Sequence, residues 1–200
     1  GILTQAELTL MIDDQAVLRE TGELLLTDYG VSGVCVFQLS REAAPALAQG
    51  RSVRLAVNFL PEIPSLLPWL DARIRQLAPA SLLALTTGVL PRLLAQTVIR
   101  EARLSPDMPA EALSESEKQT LCGALSAFPL VVTGTQGFAN AQVTRGGVSL
   151  ADVDPSTMAS RLFDGLHIIG ELLDVDGPCG GYNLHFAFAG ALAAAKAIAD

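Results

Sequence analysis

The sequence predicts an α+β protein: a small antiparallel β-sheet or barrel, then a helical subdomain, then a strand–loop–helix segment. Three observations predict it. Apolar residues alternate with period two near the start and recur with helical spacing in the middle. Near the end they run into a Gly- and Asp-rich loop followed by an Ala-rich stretch. The 200 residues are 50% apolar and 17% charged. That is enough to bury a sizeable core and far from the composition of a disordered chain.

Residues 2–60 read as β-rich. In Ala6 to Ile12, Leu8, Leu10 and Ile12 share one face while Glu7, Thr9 and Met11 share the other. Arg51 to Phe59 alternates more cleanly, with Val53, Leu55, Val57 and Phe59 facing one way, as in a half-buried strand. Gly22 to Thr27 and Val34 to Leu39 are expected as strands flanking a turn with two glycines, Asp28 to Gly33.

Residues 62–127 read as helical. Leu66, Leu67, Leu70, Ile74 and Leu77 keep one face of a helix. Gly88 and Pro91 punctuate the chain, and proline suits a first helical turn, so a new helix is expected from Leu90 to Arg103. After a Pro-rich loop, Ser114-Glu115-Ser116-Glu117 has the capping-box pattern. Beyond Phe128, Leu130–Thr133, Ala141–Thr144 and Leu166–Ile169 are expected as short strands. A helix is expected from Asn183 to about Ala199.

Charge and cysteine usage narrow the function classes. A formal net charge of −8 argues against binding to nucleic-acid phosphates. Cys35, Cys122 and Cys179 lie far apart with no CxxC pair, which excludes a disulfide scaffold or structural zinc site by spacing and suits a reducing compartment. Mean hydropathy is +0.40, yet charged residues interrupt nearly every apolar run, so no membrane span is expected. Gly1 to Gln5 carries no basic leader segment. A cytoplasmic location is therefore expected.

Residues able to carry chemistry gather between Gly170 and Asn183: a carboxylate at Glu171, acids at Asp174 and Asp176, a Gly180-Gly181 turn, and the start of a helix. Glycines let a ligand approach the backbone, and a helix start offers free N–H groups and a positive pole. An ordinary strand–loop–helix crossover accounts for the same pattern equally well. The loop lacks the distal acidic ligands of a calcium site, and nothing fixes Cys179 near His185 as a thiol–imidazole pair. No metal site is expected.

The stretch Gly170 to Ala189 closely resembles the C-terminal flavin motif of the aminoacetone-oxidase-like, or BaiN-type, bacterial FAD-dependent oxidoreductases. Gly22 to Gly33, Thr144 to Val148 and Ser156 to Ser160 resemble three further motifs of that family, in the same order. The chain has Asp28, Val34 and His185 where the family pattern has His, Pro and Gln.

The resemblance implies that residues 1–143 are the family's inserted domain and residues 144–200 the C-terminal segment of its FAD-binding domain. It further implies FAD as cofactor, with Gly170, Glu171, Asp174, Gly180, Gly181, Tyr182, Asn183, Thr157 and Met158 around it. Glu171 would meet the ribityl chain, and Gly181, Tyr182 and Asn183 the pyrimidine edge of the ring. The substrate would be a small organic molecule or NAD(P)H. The family's pyrophosphate turn, GxGxxG, does not occur in these residues. The expected partner is thus an N-terminal Rossmann part, and the isolated chain is expected to be inactive. A non-catalytic lid or interaction module is the alternative. Leu166–Ile169, as an unpaired strand, would favour a homodimer or swapped segment.

Overall fold

The computed structural model describes residues 1–199, which fall into two compact units, Gly1–Gly134 and the residues from Thr135 onward. The first unit is built on strand β1 (Ile2–Ile12), which turns at Asp13-Asp14 into β2 (Gln15–Leu26). Both turn residues have positive φ, 49° and 65°, as a tight hairpin requires. Asp13 is fixed by the Arg51 guanidinium at 2.8 Å and the Ser52 N–H at 3.0 Å, and these contacts hold its carboxyl below the usual range.

Short β3 (Val31–Ser32) leads into helix α1 (Val34–Ala48), and β4 (Val53–Asn58) follows. With β5 (Phe128–Val131) the sheet has order β3-β2-β1-β4-β5, antiparallel throughout. Period-two alternation decides its buried face: Ala6, Leu8, Leu10 and Ile12 of β1 join Leu24, Val53, Leu55 and Val57. Each buried leucine there contributes roughly 1.5–3 kcal/mol. On the other face Glu7 and Arg19 form an exposed cross-strand ion pair at 3.5 Å.

The helical subdomain comprises α2 (Leu66–Leu77), the single turn α3 (Leu82–Leu85), α4 (Arg92–Glu101) and α5 (Glu115–Ser126). Leu94, Ala95, Val98, Ile99 and Ala102 face the same core as Leu121 and Leu125 of α5. At the start of α5 the capping box is present. Ser114 Oγ accepts the Glu117 N–H, and Glu117 accepts the Ser114 N–H at 2.8 Å and its hydroxyl at 2.7 Å.

These bonds hold the Glu117 carboxyl below its ordinary value. A lowered folded-state pKa gives stability that is present above the unfolded value and lost as pH falls through the folded one. Ser114→Ala is expected to lower stability by about 1 kcal/mol at neutral pH. The deficit should shrink as pH falls through the lowered folded-state pKa of Glu117, below which the carboxyl is protonated in either protein. Chemical denaturation at two pH values checks both parts.

Two strand expectations fail in this unit. Val34–Leu39 is not a strand but the first turns of α1. Its buried residues, Cys35, Leu39, Ala43 and Ala46, step by four, four and three along one helical stripe. That packing overrides the β preference of the Val-Cys-Val-Phe run. The strand expected at Leu130–Thr133 lies two residues earlier, at Phe128–Val131, where it registers with β4.

The second unit has little regular structure besides helix α6 (Tyr182–Ala199). Ala141–Thr144 is not a strand. Leu166–Ile169 is reduced to a single bridge between His167 and Ala159, flanked by Ser160 N–H to the Leu166 carbonyl at 2.7 Å and Ile168 N–H to the Met158 carbonyl at 2.9 Å. The segment is therefore paired within the unit, and the unpaired edge expected to drive dimerisation is not formed. Leu166 and Ile169 remain exposed. Among the described residues no helix is long and apolar enough to cross a membrane.

Candidate functional site

The candidate residues all belong to the second unit, where a small core of Val153, Met158, Leu173 and Ala194 holds two loops against α6. Gly147 lets the first loop run against the second. Val148 N–H donates to the Leu172 carbonyl at 2.8 Å and Asp174 N–H to the Val148 carbonyl at 2.9 Å, a parallel bridge. This pairing fixes the backbone of Asp174, whose side chain is exposed.

One turn earlier, Glu171 Oε1 accepts the Thr144 N–H at 2.9 Å and the Thr144 hydroxyl at 3.3 Å. The carboxylate is exposed but aimed by these bonds. Gly170, expected to end a strand, instead begins a 3-10 turn over Gly170–Leu172. With φ of 63° it is buried, and a Cβ there would sit 3.4 Å from the Ala187 Cβ, so the loop approaches α6 closely at this glycine.

The loop ahead of α6 is clipped by one side chain. Asn183 Oδ1 accepts the Gly177 N–H at 2.7 Å, and its Nδ2 donates to the Gly177 carbonyl at 3.1 Å. Helical bonding begins with His185 N–H to the Gly181 carbonyl at 2.9 Å, so the amides of the intervening residues lack an intrahelical acceptor. No acidic residue occupies the first turn. Gly180 and Gly181 have φ of 126° and 92°, and nothing lies within 4 Å of a Cβ placed on Gly181. Tyr182 is exposed beside them. This end of α6 is open and amide-rich, with no acid in its first turn, and suits an anion or a ring edge that takes on negative charge.

Thr157 and Met158 behave differently from each other. Thr157 Oγ1 accepts the Ala159 N–H at 3.3 Å on a half-buried turn. Met158, expected beside a flavin ring, is a core residue. It is 8% exposed, its φ is 58°, and its sulfur faces Gly190 of α6, where a Cβ would lie only 3.6 Å away. Gly190 within an alanine-rich helix is the signal that could have shown this close packing. The turn is held by Asp154, whose Oδ1 accepts the Ser156 hydroxyl at 2.6 Å and N–H at 2.8 Å, keeping its carboxyl below the usual range. Sequence reasoning gave Thr144 no role of its own, yet it aims Glu171. Among the described residues no cluster of metal-ligating side chains occurs.

Comparison with known proteins decides the family. Residues 2–143 match the model described as "HI0933-like protein barrel and H2TH domain". The chain belongs to the HI0933-like family. It is 36% identical over 202 residues to the 3-dehydro-bile acid delta(4,6)-reductase of Clostridium scindens, covering 100% of this chain and 49% of that protein. It is 34% identical over 185 residues to the ribosomal RNA dihydrouridine synthase of Escherichia coli, covering 92% of this chain and 44% of that one. The protein of the same name from Haemophilus influenzae is 30% identical over 177 residues, with 88% and 42% covered.

This HI0933-like chain thus spans about half the length of the curated relatives it matches. The family assignment agrees with the resemblance drawn from the motifs. It removes the ground for setting nucleic acid aside, because two relatives are named for ribosomal RNA. A net charge of −8 describes the whole chain, not a local surface.

Proposed function

We propose that this chain is part of a longer FAD-dependent reductase. In this reading residues 1–143 are an inserted domain and residues 144–200 belong to the flavin-binding domain. The observation that carries it is whole-chain similarity to a reductase about twice as long. The donor set at α6 is consistent with it: amides, a glycine cradle and no first-turn acid fit the electron-rich edge of a flavin.

FAD, when bound, would supply electron-pair transfer from NAD(P)H to a small organic substrate. Tyr182 and Asn183 would offer N–H groups to the ring edge, with Asn183 also holding the Gly177 loop in place. The helix pole would favour the reduced, more negative ring by roughly 0.3–2 kcal/mol. Gly170, Glu171 and Asp174 would line the ribityl side, with Thr144 orienting Glu171. Gly180 and Thr157 would shape the cradle from either side. The pyrophosphate would be held by the N-terminal part, which is the principal partner in this reading. The apolar stripe of α6, with Leu184, Phe188 and Leu192 each more than 60% exposed, would be covered there.

The parent protein should purify yellow with stoichiometric flavin. Gly181→Val, strained at φ of 92°, and Asn183→Leu, which removes both bonds to Gly177, should each cut FAD occupancy at least tenfold. A colourless parent, or two variants with unchanged flavin content, would remove this reading in favour of a non-catalytic module.

A second reading rests on the two relatives named for ribosomal RNA: the parent reduces a base within RNA. It shares the flavin site and differs in substrate, so it requires a surface for phosphates elsewhere on the chain.

A further inference from the structure

The first unit neutralises most of its cations. Arg19 pairs with Glu7, Arg51 with Asp13, Arg54 with Asp14, and Lys118 with both Asp71 and Glu115. Arg73 donates to the Leu85 and Thr87 carbonyls and lies over Trp69. The exceptions among the described residues are Arg75 of α2 and three arginines on and just past helix α4. The side chains of Arg92, Arg100 and Arg103 are exposed, and among the described residues none makes a hydrogen bond or ion pair.

Arg92, Gln96 and Arg100 are spaced i, i+4, i+8, so they follow one side of the helix, and Arg103 lies just past its C-terminal end. Leu94, Ala95, Val98 and Ile99 bury the opposite side. The single acid of the helix, Glu101, falls on the far margin of the exposed face from Arg92. Arg100 and Arg103 sit where the helix dipole favours cations. Arg92 sits at the positive end, with no acidic residue in the first turn to offset it. An unpaired cation there is unfavourable in the free protein and favourable once an anion arrives. Beside it the chain forms a dent lined by Thr86, Thr87, Gly88, Leu90 and Arg92.

We infer that the exposed side of α4, from Arg92 to Arg103, is a docking surface for the phosphate backbone of RNA. The choice of RNA among polyanions rests on the second reading above; the surface itself rests on the three unpaired arginines. Arg92 to Arg100 spans about 12 Å at 1.5 Å per residue. Three guanidinium groups reading phosphates, with no base edge engaged, make contacts that position a strand without selecting its sequence.

The test is fluorescence anisotropy of a labelled 20-nucleotide mixed-sequence RNA with this 200-residue chain at 50 to 200 mM salt. The expected result is micromolar binding at 50 mM salt, with log K falling with log salt at a slope of about −2, from roughly −0.7 per phosphate contact. The triple variant Arg92→Gln, Arg100→Gln, Arg103→Gln should weaken binding at least tenfold and flatten the slope. The matching Arg→Lys triple variant should keep the slope. Thermal midpoints should stay unchanged, since all three side chains are exposed. No binding up to 100 µM at 50 mM salt, or a glutamine triple variant that binds like the parent chain, would overturn the inference. Flavin content of the parent is measured separately, so failure here leaves the flavin reading standing.

Discussion

Gly147→Ala should cost the second unit about 3–5 kcal/mol, from left-handed strain plus a backbone clash. Gly147 has φ of 152°, and a Cβ there would lie 2.5 Å from the Leu172 carbonyl oxygen and 2.8 Å from the Leu173 carbonyl carbon. Both are main-chain atoms and cannot rotate away. The Leu172 carbonyl also accepts the Val148 N–H, so relief of the clash breaks the bridge that joins the two loops. Among the described residues the unit's core has only four buried apolar side chains, so little else compensates. Glu171 would separate from Thr144 as the loops part. Hydrogen exchange at the Val148 and Asp174 amides should rise to the level of unprotected backbone. Unchanged protection would mean that Gly147 is merely permitted at that position.

Gly33→Ala is expected to have a comparable effect on the first unit. Gly33 has φ of 123° and ψ of 165° at the entry to α1, a region reached essentially by glycine alone. A Cβ would meet the Glu23 carbonyl oxygen of β2 well inside contact distance. The Cys35 thiol donates to that same carbonyl at 3.4 Å, so β2 cannot retreat without loosening the start of α1. Burial already pushes the Cys35 thiol pKa up, so the cysteine stays protonated and serves as packing. The expected loss is about 3–5 kcal/mol. A urea titration reads it as a midpoint shift at constant slope. A loss below about 1 kcal/mol would contradict the rigid junction described here.

Local patterns made most of the first unit legible. β1 and β4 declare themselves by strict alternation, because one face of each is buried and the other wet. The α5 cap is four adjacent residues whose bonds are all local. α1 escaped because its opening Val-Cys-Val-Phe run favours a strand. What decides the helix is burial of Cys35, Leu39, Ala43 and Ala46 along one stripe, which the opening Val-Cys-Val-Phe run hides. The stop–start at Gly88 and Pro91 was readable for the same reason as the cap: φ freedom and φ restriction act within one turn.

The candidate site was legible in content but not in geometry. Glycines, acids and a helix start within fourteen residues mark the stretch as a candidate for backbone contact with a ligand. The bonds that shape it join residues far apart in sequence, Thr144 to Glu171 and Val148 to Leu173. No local rule pairs those residues. Met158, placed by motif near a ligand, packs in the small core, where Gly190 opens a slot for it, and no local rule shows that contact either.

Titration of FAD into the isolated 200-residue chain, followed by flavin fluorescence, tests most directly whether these residues form only part of a flavin site. The pyrophosphate contacts are assigned to a part outside this chain. Each charge-assisted bond lost there is worth about 1.5–3 kcal/mol, and two such losses weaken binding a hundredfold or more. The expected result is no saturable quenching at micromolar flavin and no turnover with NAD(P)H, while the parent binds stoichiometrically. Saturable micromolar quenching by the isolated chain would contradict the account, because residues 1–200 would then be a sufficient site.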